Sequence, residues 1–493
     1  MPARRRWAAL VILLIAEAMN LLDSTIMTVT APVIHADLGG PASAIPWFSA
    51  AYTLPFAVLL ITGGRLGDIA GRKRVFRIGT AGFVAASVAC ALATSPALLI
   101  TARAAQGAAA ALVIPQTIGL IRSMFDGDEL ARAMGSIGPV MGLAAVCGPV
   151  LAGVVTHADL LGSSWRAVFF VNVPLGLGVL AATPLLREDH SARRVRLDLA
   201  GTALAVLGMG LTVHPLIDGG PAWGSPRPWA VLATGLAVLA VFGAHQRRRG
   251  ARGRSALVEA GLFRDRGFPA ALAASVLFFA VINGLMMVIV LQLQLGPHTD
   301  VRSAGLTLLP WSCAMAVSSW LAGARLVPRH GSRVMFAGLA ALLVGALAAT
   351  AVYVSGPATS YPWPLPAALA ACGLGQGLFA VAFFTTALHR VRPHETGSAA
   401  GLLNAAQQLG GTLGVALLGA VFFHAAGASG SATATGASAA DAALLGARNA
   451  FCAAVVALAA TGVAAALMHR PRSGSAPAER RDRTVKSRAG YGG

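Results

Sequence analysis

The chain has 493 residues, of which 56% are hydrophobic and 12% charged; its net charge is +19 and its mean hydropathy +0.70. Apolar runs of about 18 residues or more recur throughout, each long enough to cross a ~30 Å hydrocarbon core, which excludes a water-soluble globular protein. The runs are too long and too evenly apolar for barrel strands, so the backbone must satisfy its hydrogen bonds within helices and the expected fold class is an all-α polytopic membrane protein.

Fourteen spans are expected, at 7–30, 46–64, 76–94, 98–121, 133–155, 166–186, 199–217, 229–245, 267–292, 303–324, 334–354, 364–388, 398–423 and 448–468. They divide into an N-terminal six-helix bundle (7–186), two extra spans with basic connectors (187–266) and a C-terminal six-helix bundle (267–468). Residues 424–447 are Ala/Ser/Gly-rich and are expected to form a flexible external loop. The basic tail, 469–493, is expected to be disordered.

With a cytoplasmic N-terminus, four of the 38 Lys+Arg fall in external segments (Arg166, Arg227, Arg302, Arg448) and one in a span (Arg103), leaving 33 cytoplasmic. That asymmetry follows the positive-inside rule and places both termini in the cytoplasm. The positive charge therefore reads as topology rather than nucleic-acid binding. The five cysteines all fall within expected spans, so no disulfide framework is expected. Arg4-Arg5-Arg6, the apolar run and Ala16-Glu17-Ala18 mimic a cleavable leader. The run continues past Ala18, so the segment is expected to be retained.

The first span carries Glu17, Asn20 and Asp23. A charged residue at membrane depth costs at least ~2.5–3.5 kcal/mol on insertion scales and usually faces a polar interior or a partner. On a helix, Glu17 and Asp23 are separated by about 9 Å and about 120°, with Asn20 between them. After the second span comes Gly64-Arg-Leu-Gly-Asp68-Ile-Ala-Gly71-Arg72-Lys73-Arg74. Its glycines permit a tight turn, and its charges can pair with one another or with Arg122. The fourth span holds Arg103 and Gln106, at a depth comparable to Asp23, so an Asp23–Arg103 interaction is expected. The fifth contains Gly148, Pro149 and Gly153, small residues for close helix approach and a proline that kinks the helix.

The second half has no carboxylate within an expected span. Its buried polar groups are amides: Asn283, Gln376, Asn404, Gln407 and Gln408, the last three on one helical face. Leu326-Val-Pro328-Arg-His-Gly331-Ser-Arg333-Val weakly repeats the 64–76 loop, with Pro328 where Asp68 stands. Two related halves around a midplane site are the construction of a secondary transporter.

These motifs together resemble the major facilitator superfamily, in its fourteen-span drug:proton antiporter (EmrB/QacA-like) branch. The 64–74 loop resembles the cytoplasmic signature G-x-L-[AG]-D-x-x-G-R-[KR], and Arg103–Gly107 the fourth-span R-x-x-Q-G. Gly138–Gly153 resembles the fifth-span antiporter signature, with Ala144 and Ala152 in place of two glycines. Leu22–Pro32, Trp165–Gly176 and Gly397–Gly411 resemble further stretches of that branch. Glu17 belongs to none of these motifs.

The resemblance implies a major facilitator fold and proton-coupled efflux of drugs or antibiotics, amphipathic or cationic. Asp23, Glu17, Asn20, Arg103 and Gln106 would serve proton coupling and substrate. Gly64, Asp68, Gly71, Arg72, Lys73 and Arg122 would form a cytoplasmic gate, Gly148, Pro149 and Gly153 a hinge, and the five amides the second half's share of the cavity. In the expected cycle Glu17 and Asp23 hold a cationic drug and release it on protonation. A dedicated exporter of one endogenous metabolite is the alternative. Phosphate-loop, zinc-protease and serine-hydrolase motifs are absent from the sequence, so neither enzyme activity nor a cofactor or metal is expected, and the proton motive force drives transport. The expected partners are a small molecule, protons and the lipid bilayer, with a monomer as the functional unit.

Overall fold

A computed structural model describes residues 3–157, 164–188, 197–218, 225–252, 257–258, 260–263, 267–389, 391, 396–428 and 436–468. The expected disordered tail and much of the two basic connectors lie outside the described residues. Among those described, every long element is a helix.

The first group comprises α1 (Ala3–Leu38), α2 (Ala44–Ala70), α3 (Arg72–Ala91), α4 (Pro96–Met124), α5 (Gly127–Gly135), α6 (Ile137–His157), α7 (Arg166–Phe170) and α8 (Asn172–Ala182). Then come α9 (Leu199–Asp218) and α10 (Pro226–Ala251). The last group is α11 (Gly267–Leu295), α12 (Val301–Leu321), α13 (Val327–His330), α14 (Arg333–Ser355), α15 (Leu365–His389), α16 (Thr396–Ala428) and α17 (Gly436–Leu467). Among the described residues, thirteen helical segments are long and apolar enough to cross a bilayer.

The span expected at 133–155 is the short one, with its apolar helix confined to Val140–Thr156. The chain breaks at Ser136, between α5 and α6. Pro139 then falls in the first turn of α6, where a missing N–H costs no helical bond; farther inside one continuous helix it would remove one.

Of the loop expected at 424–447, residues 424–428 and 436–447 are helical instead. α16 continues to Ala428 and α17 begins at Gly436; 429–435 lie outside the described residues. Alanine is the strongest helix former, and Ala440, Ala443 and Ala447 are buried. The longer α17 also brings Asp441 into a crossing segment, where it is exposed near the helix start, so the second half is not free of span carboxylates.

Within the first group, α4 packs on α2 and α3, and α1 on α6 and α8. Within the last, α15 packs on α12 and α14, and α11 on α16 and α17. Two seams join the groups: α6 against α12, and α2 against α16. Glycines set the first seam. A Cβ on Gly153 would lie 2.7 Å from the Arg302 Cα, and one on Gly305 would strike the Pro149 carbonyl. Small residues of this kind let helix backbones approach where lipid supplies no hydrophobic drive.

α9 lies over the second seam, touching both α2 and α16. Leu54, Val213, Ile217 and Ala416 share one apolar cluster there. Trp47 donates its indole N–H to Asp218 at 2.8 Å, and Thr62 and Thr202 pair their hydroxyls at 2.9 Å. Just before α9, Asp198 is wholly buried and anchors α10. It meets His245 Nε2 at 3.0 Å, Gln246 Nε2 at 2.8 Å, Arg249 at 3.4 Å and the Gly201 N–H at 3.0 Å. Burial pushes this carboxyl upward, but the donors and the Arg249 charge prevail and hold it below the ordinary carboxylate range.

The weak repeat is visible in the backbone. The α2–α3 and α13–α14 turns each pivot on a glycine of positive φ, Gly71 at 97° and Gly331 at 56°. Before the second turn, Ala322–Leu326 widens into a π-turn. Pro328 has no N–H to close an ordinary bond back to residue 324, and such a widening relieves that loss.

Candidate functional site

The polar stripe of α1 is sealed inside the first bundle, with Glu17, Asn20 and Asp23 all under a tenth exposed. Asp23 is the hub. Its Oδ2 pairs with Arg103 Nη1 on α4, and both side chains are 1% exposed. Its Oδ1 accepts from Gln106 Nε2 and from Asn172 Nδ2, each at 2.8 Å. Gln106 Nε2 also reaches Ser87 Oγ at 2.8 Å, while Gln106 Oε1 accepts from Arg103 at 2.7 Å. Arg103 Nε donates to the Phe48 carbonyl at 3.1 Å, and its guanidinium lies 4.4 Å from the Tyr52 ring centre. Tyr52 in turn donates its hydroxyl to Asn20 Oδ1.

One carboxylate thus gathers α1, α3, α4 and α8, and Arg103 and Tyr52 carry the network to α2. Taking two charges out of water is tolerated only when hydrogen bonds satisfy the remaining lone pairs and protons, and here the partners are present. Removing any one of them leaves a buried charge incompletely matched.

The expected Asp23–Arg103 contact is therefore present. Glu17 lies apart from this network, against the Thr117 hydroxyl of α4. Asn20 bonds Tyr52, and its amide nitrogen has no partner among the described residues.

Beside the network is a cavity of about 1310 Å³ between the two bundles. Arg103 and Tyr52 belong both to the network and to its wall. Of the second-half amides, Asn283, Gln376, Gln407 and Gln408 line it. Asn404 does not: it shares the face of Gln407 and Gln408 but lies a turn earlier along α16, where it is exposed and beyond the residues that line the cavity. Neither Glu17 nor Asp23 lines the cavity, which corrects the expectation that both would hold a cationic drug directly. Their period places them on the buried side of α1, and Ser24, Thr25 and Thr28 present the other side to the cavity.

The α2–α3 turn is also connected. Asp68 pairs with Arg72 at 3.0 Å, one turn along, whereas Arg122 is exposed and stands outside that pair. Arg72 lies across Gly119 of α4, where a Cβ would come within 2.7 Å of its Cδ. Lys73 donates Nζ to the Leu186 carbonyl at 2.9 Å. Gly64 faces Pro115. The three residues expected to form a hinge pack α6 on its neighbours: Gly148 abuts Thr25 of α1, Pro149 meets Gly305 and Gly153 meets Arg302.

Three network members were not expected from sequence: Tyr52, Ser87 and Asn172. Asn172 had a signal, being an amide within the branch-specific stretch 165–176. Tyr52 and Ser87 are single polar residues in apolar spans, with nothing local to mark them.

Comparison with known proteins follows the same direction. The sequence profile of the Major Facilitator Superfamily matches residues 13–415. The chain is 43% identical to the probable actinorhodin transporter of Streptomyces coelicolor, over 88% of this chain and 75% of that one. It is 35% identical to the puromycin resistance protein pur8 of Streptomyces alboniger, over 85% and 82% of the two chains. In fold it is similar to a bacterial homologue of the human lysosomal transporter Spinster in an inward-facing, unoccupied conformation, with TM-score 0.67 and 18% identity over 95% and 97% of the chains. With its two helical bundles, its interbundle cavity and these matches, the chain belongs to the Major Facilitator Superfamily.

Proposed function

We propose that the protein is a proton-coupled efflux transporter that exports a drug or antibiotic across the cytoplasmic membrane, with both termini in the cytoplasm. The observation that carries this reading is the buried Asp23–Arg103 pair, whose arginine lines the interbundle cavity together with its neighbour Tyr52. Asp23 is the group that takes the proton. A protonated Asp23 no longer matches Arg103, so Arg103 and Tyr52 shift at the cavity wall and substrate affinity changes without the carboxylate touching the substrate. Loading and release are then coupled through the wall, as the seams α6–α12 and α2–α16 rock. The inside orientation rests on the basic residues gathered at the start of α3 and at the ends of α10 and α13.

A dedicated exporter of one endogenous antibiotic is the second reading, favoured by the kinship with a transporter and a resistance protein named for single antibiotics in Streptomyces. Everted vesicles from cells producing the protein test the first reading. An imposed pH gradient is expected to drive substrate accumulation, and Asp23→Asn is expected to abolish it. Undiminished accumulation in Asp23→Asn vesicles would sink the coupling mechanism. Resistance profiling separates the second reading, since protection against one compound favours a dedicated exporter and protection against many excludes it.

A further inference from the structure

No carboxylate lines the cavity among the described residues. Its one charged side chain, Arg103, is already matched by Asp23. Among the described lining residues a permanent cation would find no opposite charge to offset the water it leaves, which is unfavourable. The wall offers something else. Five methionines line it: Met134, Met141, Met286, Met287 and Met315. Their thioethers are polarizable and adapt to ring edges. Tyr52, Phe279 and Trp320 add aromatic faces.

The amides are pre-set as a donor and an acceptor. Gln376 Oε1 takes the Trp311 indole N–H at 2.5 Å, which leaves the Gln376 amide nitrogen to donate to a ligand. Asn283 Nδ2 is engaged by the Phe279 carbonyl at 3.0 Å, which leaves the Asn283 oxygen to accept. A ligand with both a carbonyl and a hydroxyl group satisfies the two together.

We propose that this cavity binds an uncharged, flat polycyclic aromatic molecule bearing hydroxyl and carbonyl groups, and discriminates against permanent cations. The proposal rests on the efflux reading for its physiological meaning, but binding is measured separately from transport.

The test uses full-length protein in nanodiscs and two probes on one ring system, 1,8-dihydroxyanthraquinone and a trimethylammonium derivative of it. Binding is read as tryptophan quenching that is lost in Trp320→Phe. The neutral probe is expected to bind at least tenfold more tightly than the cation. Gln408→Glu, which adds a carboxylate to the wall, is expected to tighten cation binding about tenfold and leave the neutral probe within twofold. Equal or tighter cation binding by the unaltered protein overturns the proposal, as does the absence of specific quenching by the neutral probe. Either result leaves the efflux reading standing if pH-driven transport still depends on Asp23. Transport indifferent to Asp23, with the binding preference intact, overturns the coupling mechanism alone.

Discussion

In the first bundle a charged pair is sealed between the helices, with Asp23 and Arg103 both 1% exposed and ringed by Gln106 and Asn172. In the second bundle the buried polar side chains among the described residues are amides and hydroxyls only, and four further amides stand on the cavity wall. The two turns that repeat between the halves differ in the same sense. One holds an Asp68–Arg72 ion pair; the other has Pro328 and a π-turn whose Gly323 and Ala324 face the cavity. A charged pair with discrete protonation states suits a switch, whereas uncharged donors and acceptors suit adaptable binding. In the proposed mechanism the switch lies in the first half, while most of the described cavity-lining residues belong to the second.

The largest expected effect breaks the charged half. Asp23→Asn leaves Arg103 a buried cation without its counterion, which costs about 3–5 kcal/mol. We expect pH-driven efflux to fall to background in everted vesicles and the thermal midpoint to drop. Replacing the whole pair, Asp23→Leu with Arg103→Met, should recover most of that stability, since an apolar substitute for a buried pair is often neutral or stabilising. Efflux should stay at background; a double variant that transports would show that the pair serves packing only.

Next comes the seam that both halves share. Gly153→Val places a side chain against the Arg302 backbone, an overpacking that costs about 1–3 kcal/mol. Efflux is expected to drop at least tenfold, while Gly178→Val, at a site with open space, should leave it unchanged.

A smaller effect sharpens the contrast between network and surface amides. Asn172→Ala removes one donor from a charged acceptor, a loss of about 1.5–3 kcal/mol. Asn404→Ala, exposed and off the cavity wall, should change stability by no more than about 0.5 kcal/mol. Thermal unfolding of the two variants in one detergent makes the comparison, and equal losses would refute the placement of Asn172.

The smallest effect concerns Asp198, the buried carboxylate outside both bundles. Its carboxyl is held low in the folded state, so its contribution is complete above the ordinary carboxylate range and is lost as pH falls through the lowered value. Protection factors in α9 and α10, corrected for the intrinsic exchange rate at each pH, should therefore fall on acidification. Asp198→Asn should exchange faster at neutral pH and lose that added acid sensitivity.

Much of the site could be read along the chain because its residues carry a cost. Asp23 and Arg103 stand out since charge at membrane depth needs a partner, and their similar depths made each other the natural choice. Asn172 was visible only through its motif. Tyr52 and Ser87 were not visible, since one hydroxyl in an apolar span is ordinary. The cavity amides show the opposite failure: Asn404, Gln407 and Gln408 share one face at helical spacing, yet the cavity wall ends short of Asn404, one turn earlier along α16.

Hydrophobic length and charge asymmetry by themselves determined a polytopic helical protein, and its motifs determined the family. Those properties are local, since each span must satisfy its own backbone in lipid whatever its neighbours do. The break at Ser136, the extension of α17 to Gly436 and the laying of α9 across the α2–α16 seam were decided by packing. So was the direction in which the first-span carboxylates point. A sequence shows that Glu17 and Asp23 must be buried, but which side of α1 meets α4 and which meets the cavity depends on how the helices are rotated against one another. That rotation turned Asp23 from an expected drug contact into a sealed hub behind Arg103.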